Sequence, residues 1–104
     1  PDSRYAPDAR QRMVYLRNQL AEHDILVARY YMKRGAYVAA AARARHVVET
    51  YPRSAFTPDA LELMVSAYRT LGHDTQASDA LRVLNLNYPS HPATERAGKL
   101  ASAN

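Results

Sequence analysis

One stretch of the chain is written twice. Tyr31, Gly35, Ala40, Tyr51 and Pro52 recur as Tyr68, Gly72, Ala77, Tyr88 and Pro89, each displaced by 37 positions. A period of this length marks stacked supersecondary units, each burying its apolar face against the next. The spacing predicts two helix hairpins. In each, a tyrosine on the first helix plugs the hairpin. Gly35 or Gly72 ends that helix, because glycine takes the left-handed cap without strain. Ala40 and Ala77 fall early in the second helix, where the two backbones approach and little side chain fits. Tyr51-Pro52 and Tyr88-Pro89 close it, since proline cannot continue a helix and restricts the residue before it.

A second echo overlaps the first. Pro1-Asp2-Ser3-Arg4-Tyr5-Ala6-Pro7-Asp8-Ala9 resembles Pro52-Arg53-Ser54-Ala55-Phe56-Thr57-Pro58-Asp59-Ala60, at an offset of 51 rather than 37, a difference of 14. The extra residues lie between the Pro-Asp-Ala start and Tyr31. They make close to four turns and lengthen the first helix by roughly 21 Å without rotating its apolar face out of phase. One long helix from Pro7 to Arg34 is expected, with Met13, Leu16, Leu20, Val27 and Tyr30 at three-and-four spacing along it.

An aromatic, a glycine, a small residue and a terminal proline in one unit read as tetratricopeptide-type. The expected fold is all-α: a tetratricopeptide-like helical repeat, or α-solenoid, of about five helices with an extended first one. Their approximate spans are 7–34, 36–51, 57–71, 74–87 and 92–101. Thr57 before Pro58-Asp59 reads as a hydroxyl cap followed by proline at the first helical position, and Asp74 is expected to cap the fourth helix in the same way. Gly35-Ala36 offers no polar cap to the second. Residues 1–104 form one repeat domain. The start on Pro1-Asp2-Ser3, in the register of an inter-helix turn, suggests a piece of a longer repeat protein.

Composition narrows the function. There is no cysteine, so disulfides, thiol catalysis and thiolate metal sites are excluded. The longest apolar run, Ala36 to Ala42, is far too short to span a bilayer. The net charge of +4 is a mild basic excess, without the dense Lys/Arg stripe of a nucleic-acid surface. Arg10, Arg12, Arg17, Arg29 and Arg34 spread along a helix beside Glu22 and Asp24 and read mostly as solvated faces. His23, His46, His73 and His91 fall in four separate segments, with no pair at the spacing of helical metal ligands. Asp59 and Glu62 open a helix and are explained by its dipole. No nucleophile elbow or phosphate loop is present. No catalytic residue, cofactor or metal is expected. Most tyrosines are repeat packing residues, and Tyr15, Tyr30 and Tyr37 are the ones with room to contact a partner.

The run Tyr30-Tyr31-Met32-Lys33-Arg34-Gly35-Ala36-Tyr37-Val38-Ala39 resembles the A-x-Y-Y-x-x-R-G-A-[WY]-V-A segment of the tetratricopeptide lipoproteins of the outer-membrane β-barrel assembly machinery. Pro1-Asp2-Ser3, Leu20-Ala21, Tyr51-Pro52, Asp59-Ala60-Leu61 and Ala67-Tyr68-Arg69 agree with it. The resemblance covers nearly the whole chain and matches the C-terminal half of the family. The plainer Ala39–Ala42 stretch and the Pro92 helix depart from it. It implies a non-enzymatic scaffold at the periplasmic face of the outer membrane, anchored by an N-terminal lipid absent from this chain. The implied partners are the periplasmic polypeptide-transport-associated (POTRA) domains of the barrel subunit BamA, together with other lipoproteins of the complex. The alternative is a generic tetratricopeptide adaptor gripping a peptide in its concave groove; an undetected hydrolase is a further, weaker rival.

On the second helix, Ala40, Ala44, Val47, Val48 and Tyr51 form the expected core stripe. Arg43 lies outside it and matches the arginine that follows the motif in the resembled family. An exposed arginine beside small residues at Ala39 and Ala42 suits docking, because the guanidinium grips a carboxylate bidentately. The plain alternative is a solvated helix-face charge. Arg45 and His46 flank it, and Tyr37 completes the candidate partner-binding set.

Overall fold

The computed structural model describes residues 7–102. Five helices follow one another: α1 (Pro7–Lys33), α2 (Tyr37–Thr50), α3 (Thr57–Leu71), α4 (Asp74–Asn87) and α5 (Pro92–Ser102). The all-α expectation and all five spans are met to within a residue or two. The Tyr5–Phe56 correspondence of the second echo, and the end of the tail at Ala103-Asn104, fall outside the described residues.

The repeat is realised atom by atom at its turns. Gly35 and Gly72 have φ of 76° and 78°, the left-handed conformation expected of them. At the first, Ala36 N–H reaches the Tyr31 carbonyl at 2.9 Å and Gly35 N–H the Met32 carbonyl at 3.1 Å. At the second, His73 N–H reaches Tyr68 at 2.8 Å and Gly72 N–H reaches Arg69 at 3.0 Å. Both are the paired closing bonds of a Schellman motif. The repeat tyrosine thus supplies the carbonyl that stops its own helix as well as the ring. Tyr68 is buried, whereas Tyr31 is half-buried.

Two expected caps are different in fact. Phe56 occupies the cap position of α3, and Thr57 is the first helical residue. Its hydroxyl turns back to the Tyr51 carbonyl at 2.9 Å and meets Ser54 Oγ at 3.0 Å. The helix is entered through Pro58, and the threonine adds a second donor to a carbonyl just past the end of the previous helix, which also accepts the Ser54 N–H at 3.0 Å. Asp74 likewise begins α4 after His73 and makes no side-chain cap bond.

α1, α3 and α5 pack side by side, α2 fits against α1 and α3, and α4 fits against α3 and α5. The first core cluster joins Ala21, Ile25 and Ala28 of α1 to Ala44 and Val47 of α2 and Ala60 of α3. A second joins Leu61 and Val65 to Ala80, Leu84 and Ala97. A third, beside the glycine turns, holds Ala41, Ala67, Tyr68 and Ala77. Met64 packs against all three. At the far end, Arg96 of α5 clasps Glu62 of α3 with Nε 2.9 Å from Oε2 and Nη2 2.9 Å from Oε1, and reaches Asp59 at 3.5 Å. The hydrogen bond that Arg96 donates to Glu62, then the charge of that carboxylate, raises the Arg96 guanidinium pKa above its ordinary value. Asp59 and Glu62 therefore tie two helices together, a role beyond the dipole expected of them.

The extension of α1 is real, but its packed face is not the expected one. Ala21 is the first buried residue, so the helix before it stands clear of the hairpin stack. Asn18 tethers it, accepting the Ala55 N–H at 2.9 Å. Met13, Leu16, Leu20 and Tyr30 are exposed. The inward residues are Ala21, Asp24, Ile25 and Ala28, which hold the same three-and-four spacing about a quarter turn or more away around the helix. Where α1 closes on two neighbours, Ala21 and Ala28 allow close approach and Ile25 fills the space between them.

Candidate functional site

The candidate residues sit on α2, and the helix divides them. Ala39, Arg43 and His46 share the flank beside α1. Arg45 lies on the other flank, where it joins Val38, Ala41 and Ala42 with Tyr68, Leu71 and His73 around a shallow cavity of about 110 Å³. It approaches Glu49 one turn on, at 4.0 Å. Tyr37 turns inward and packs against the third core cluster. Ala42 is exposed and Ala39 half-buried. The expected core stripe is met at Ala40, Ala44 and Val47, with Val48 and Tyr51 half-buried beside them, and Ala41 joins it.

Arg43 is not the freely solvated charge of the plain alternative. Its Nη1 lies 3.1 Å from Oδ1 of Asp24, whose side chain is only 7% exposed. The other oxygen, Oδ2, stands 2.8 Å from Nδ1 of His46. An ionised carboxylate accepts only, so Nδ1 carries the proton and the imidazole presents Nε2 outward. The Tyr51 ring meets the same imidazole edge-on at 5.9 Å between centroids. One buried acid on α1 therefore holds two cationic-type side chains of α2, one turn apart. Arg43 keeps 40% and His46 51% of its side chain exposed. Each has an inner edge fixed by Asp24 and an outer edge facing solvent.

Asp24 was missed at the sequence level, where it reads as a solvated acid on a charged helix. Two signals could have found it. It lies within the run of Ala21, Ile25 and Ala28, on the face that packs. Its repeat mate 37 positions on is Leu61, a core residue. Arg43 and His46 map by the same offset to Ala80 and Val83, which pack in the second cluster. At this spot the first hairpin carries an ionic triad and the second an apolar contact.

Among the described residues no group of three or more His, Asp or Glu is arranged to hold a metal ion. No described helix is long and apolar enough to cross a membrane. The site can present guanidinium N–H donors to an acidic surface.

Comparison with known sequences supplies the lineage. The family model YfiO, described as an outer membrane lipoprotein, matches residues 1–84. The chain belongs to the YfiO family. Among curated relatives, an outer membrane protein assembly factor BamD from Xylella fastidiosa (strain 9a5c) is 49% identical over 92 residues, covering 88% of this chain and 32% of that protein. The protein of the same name from Neisseria meningitidis serogroup A is 45% identical over 92 residues, covering 88% of this chain and 34% of its own length. The Vibrio cholerae protein is 37% identical over 87 residues, covering 84% and 36%. The chain thus spans about a third of the length of these YfiO-family relatives. The family expected from the Tyr-Tyr-x-x-Arg-Gly-Ala-Tyr-Val-Ala run is the one found.

Proposed function

We propose that this chain is a docking module of the outer-membrane β-barrel assembly machinery: a non-enzymatic scaffold that binds the periplasmic POTRA domains of BamA and supports folding and insertion of outer-membrane proteins. In this reading the full-length protein sits at the periplasmic face of the outer membrane through an N-terminal lipid and also meets other lipoproteins of the complex. The observation that carries it is the 45–49% identity, over 88% of this chain, to proteins named assembly factor BamD. The structure supports it in kind. A stack of helix hairpins offers broad, preformed faces and suits protein partners. The α1-side flank of α2 offers Arg43 and His46 beside Ala39, a small residue that allows close approach. Arg45 and Tyr37 lie elsewhere on the helix and are secondary members of the proposed surface.

The test is calorimetric titration of this chain with the membrane-proximal periplasmic domain of BamA. Binding that weakens steeply on Arg43→Ala supports the reading. No heat of binding at tens of micromolar removes it and leaves the generic peptide-binding adaptor.

A further inference from the structure

We infer that Asp24 is a positioning residue for docking: its buried carboxylate aims Arg43 at an acidic group on the partner. The inference rests on the docking reading above and names the residue that would give that surface its geometry.

The argument begins from energetics. A buried carboxylate costs free energy to desolvate, and pairing recovers that cost only when geometry and hydrogen bonding are both good. Replacing a buried ionic set by apolar residues of similar volume is often neutral or stabilising. This chain contains that replacement. The second hairpin fills the equivalent positions with Leu61, Ala80 and Val83 and packs them in its core. The fold therefore has no general need for Asp24, Arg43 and His46 at this place, and stability alone does not account for them.

Geometry says what the triad does. Asp24 uses both oxygens, one on each partner, at 3.1 and 2.8 Å. It consumes one edge of each donor and leaves the other outward. A guanidinium carries five N–H donors in a fixed fork, and Asp24 engages it through Nη1. The Arg43 side chain, four rotatable bonds long, would otherwise wander over the helix surface. Docking would then cost the entropy of fixing it. Held from below, it stands ready for a carboxylate arriving from above. A surface of this form takes an aspartate or glutamate of a protein partner. Across most of its outer edge it offers no acceptor for a cationic one.

The test is a double-mutant cycle read by titration against the membrane-proximal BamA domain, with thermal melts of each variant. Asp24→Asn keeps the shape and one acceptor but removes the charge, and is expected to weaken binding about tenfold, which corresponds to ~1.4 kcal/mol. In the Arg43→Ala background the same change is expected to do almost nothing. Asp24→Glu is expected to restore part of the loss. The variant Asp24→Leu/Arg43→Ala/His46→Val copies the second hairpin, and is expected to melt no lower than the parent and to bind no better than Arg43→Ala. If Arg43→Ala weakens binding and Asp24→Asn does not, or if the two effects simply add, Asp24 does not position Arg43 and the inference fails alone. If Arg43→Ala leaves affinity unchanged, the docking reading fails with it. Should Asp24→Asn melt below the assay temperature, Asp24→Glu, which keeps the charge and Arg43 but moves the carboxylate, decides: folded and binding at parental affinity overturns the proposal, and folded with weakened binding upholds it.

Discussion

Thr57 and Thr94, 37 residues apart, each donate a hydroxyl to the carbonyl of the tyrosine six residues before: Thr57 to Tyr51 at 2.9 Å and Thr94 to Tyr88 at 2.6 Å. The bond crosses from the start of one helix to the end of the last. Ser54 Oγ and His91 Nδ1, also 37 apart, accept the N–H of the residue two on, at 3.3 and 2.9 Å. The repeat thus extends through the turn and fixes the angle at which one hairpin hands over to the next.

Thr57→Val and Thr94→Val should each lower stability by about 1 kcal/mol, the net value of one hydrogen bond. Thr57 should cost more, because Ser54 Oγ beside it is also buried and loses a partner. Urea denaturation of both variants measures the difference. Equal, negligible losses would show that proline and packing set the turn without the hydroxyl.

Gly35→Ala and Gly72→Ala should each destabilise by about 1 kcal/mol. A methyl group at either position would meet nothing within 4 Å, so the cost is the positive φ and not a clash. Asn, which tolerates this conformation better, should restore part of the loss at both sites. Melting temperatures of the Ala and Asn pairs check the order.

Within α1, size and position should separate. Ile25→Ala removes a side chain that is 1% exposed and should cost 2–5 kcal/mol, in the range for large-to-small core changes. Leu16→Lys and Leu20→Lys, on the exposed stripe, should stay within about 0.5 kcal/mol in this chain. A large loss from either lysine variant would mean that the stripe is covered in solution.

Arg43→Glu should damage the fold as well as any interface. It would set a second acid against Asp24, and losing the partner of a buried charge costs roughly 3–5 kcal/mol. Because Arg43 is 40% exposed, the lower end or less is expected. A solvated helix-face arginine would make the change nearly silent, within about 0.5 kcal/mol, so a melt decides between that arginine and the one seen here.

What the sequence carried, and what it did not, divides along a physical line. Backbone requirements were legible: a left-handed residue at Gly35, a stop at Pro52, and a proline entry at Pro58 each leave one residue type as the natural solution. Helix spans followed from them. Which face of α1 packs was not legible, because periodicity weighs large apolar residues such as Met13 and Leu20, while close packing selected Ala21 and Ala28. Arg43 could be singled out from the sequence, but not its tether. Asp24 and Arg43 are 19 residues apart on different helices, and only the closed hairpin brings them within a hydrogen bond. Arg96 and Glu62, separated by 34, were hidden for the same reason.

Met64, with contacts in all three core clusters, has a thermodynamic meaning. A row of repeats coupled only through neighbours can melt in instalments, one unit loosening while the next survives. Here a single flexible thioether is common to every cluster, so no hairpin can open without withdrawing support from the others. The chain counts in periods of 37 residues along its length, yet its unfolding should be all-or-none. The written unit is the hairpin, and the cooperative unit is the whole array.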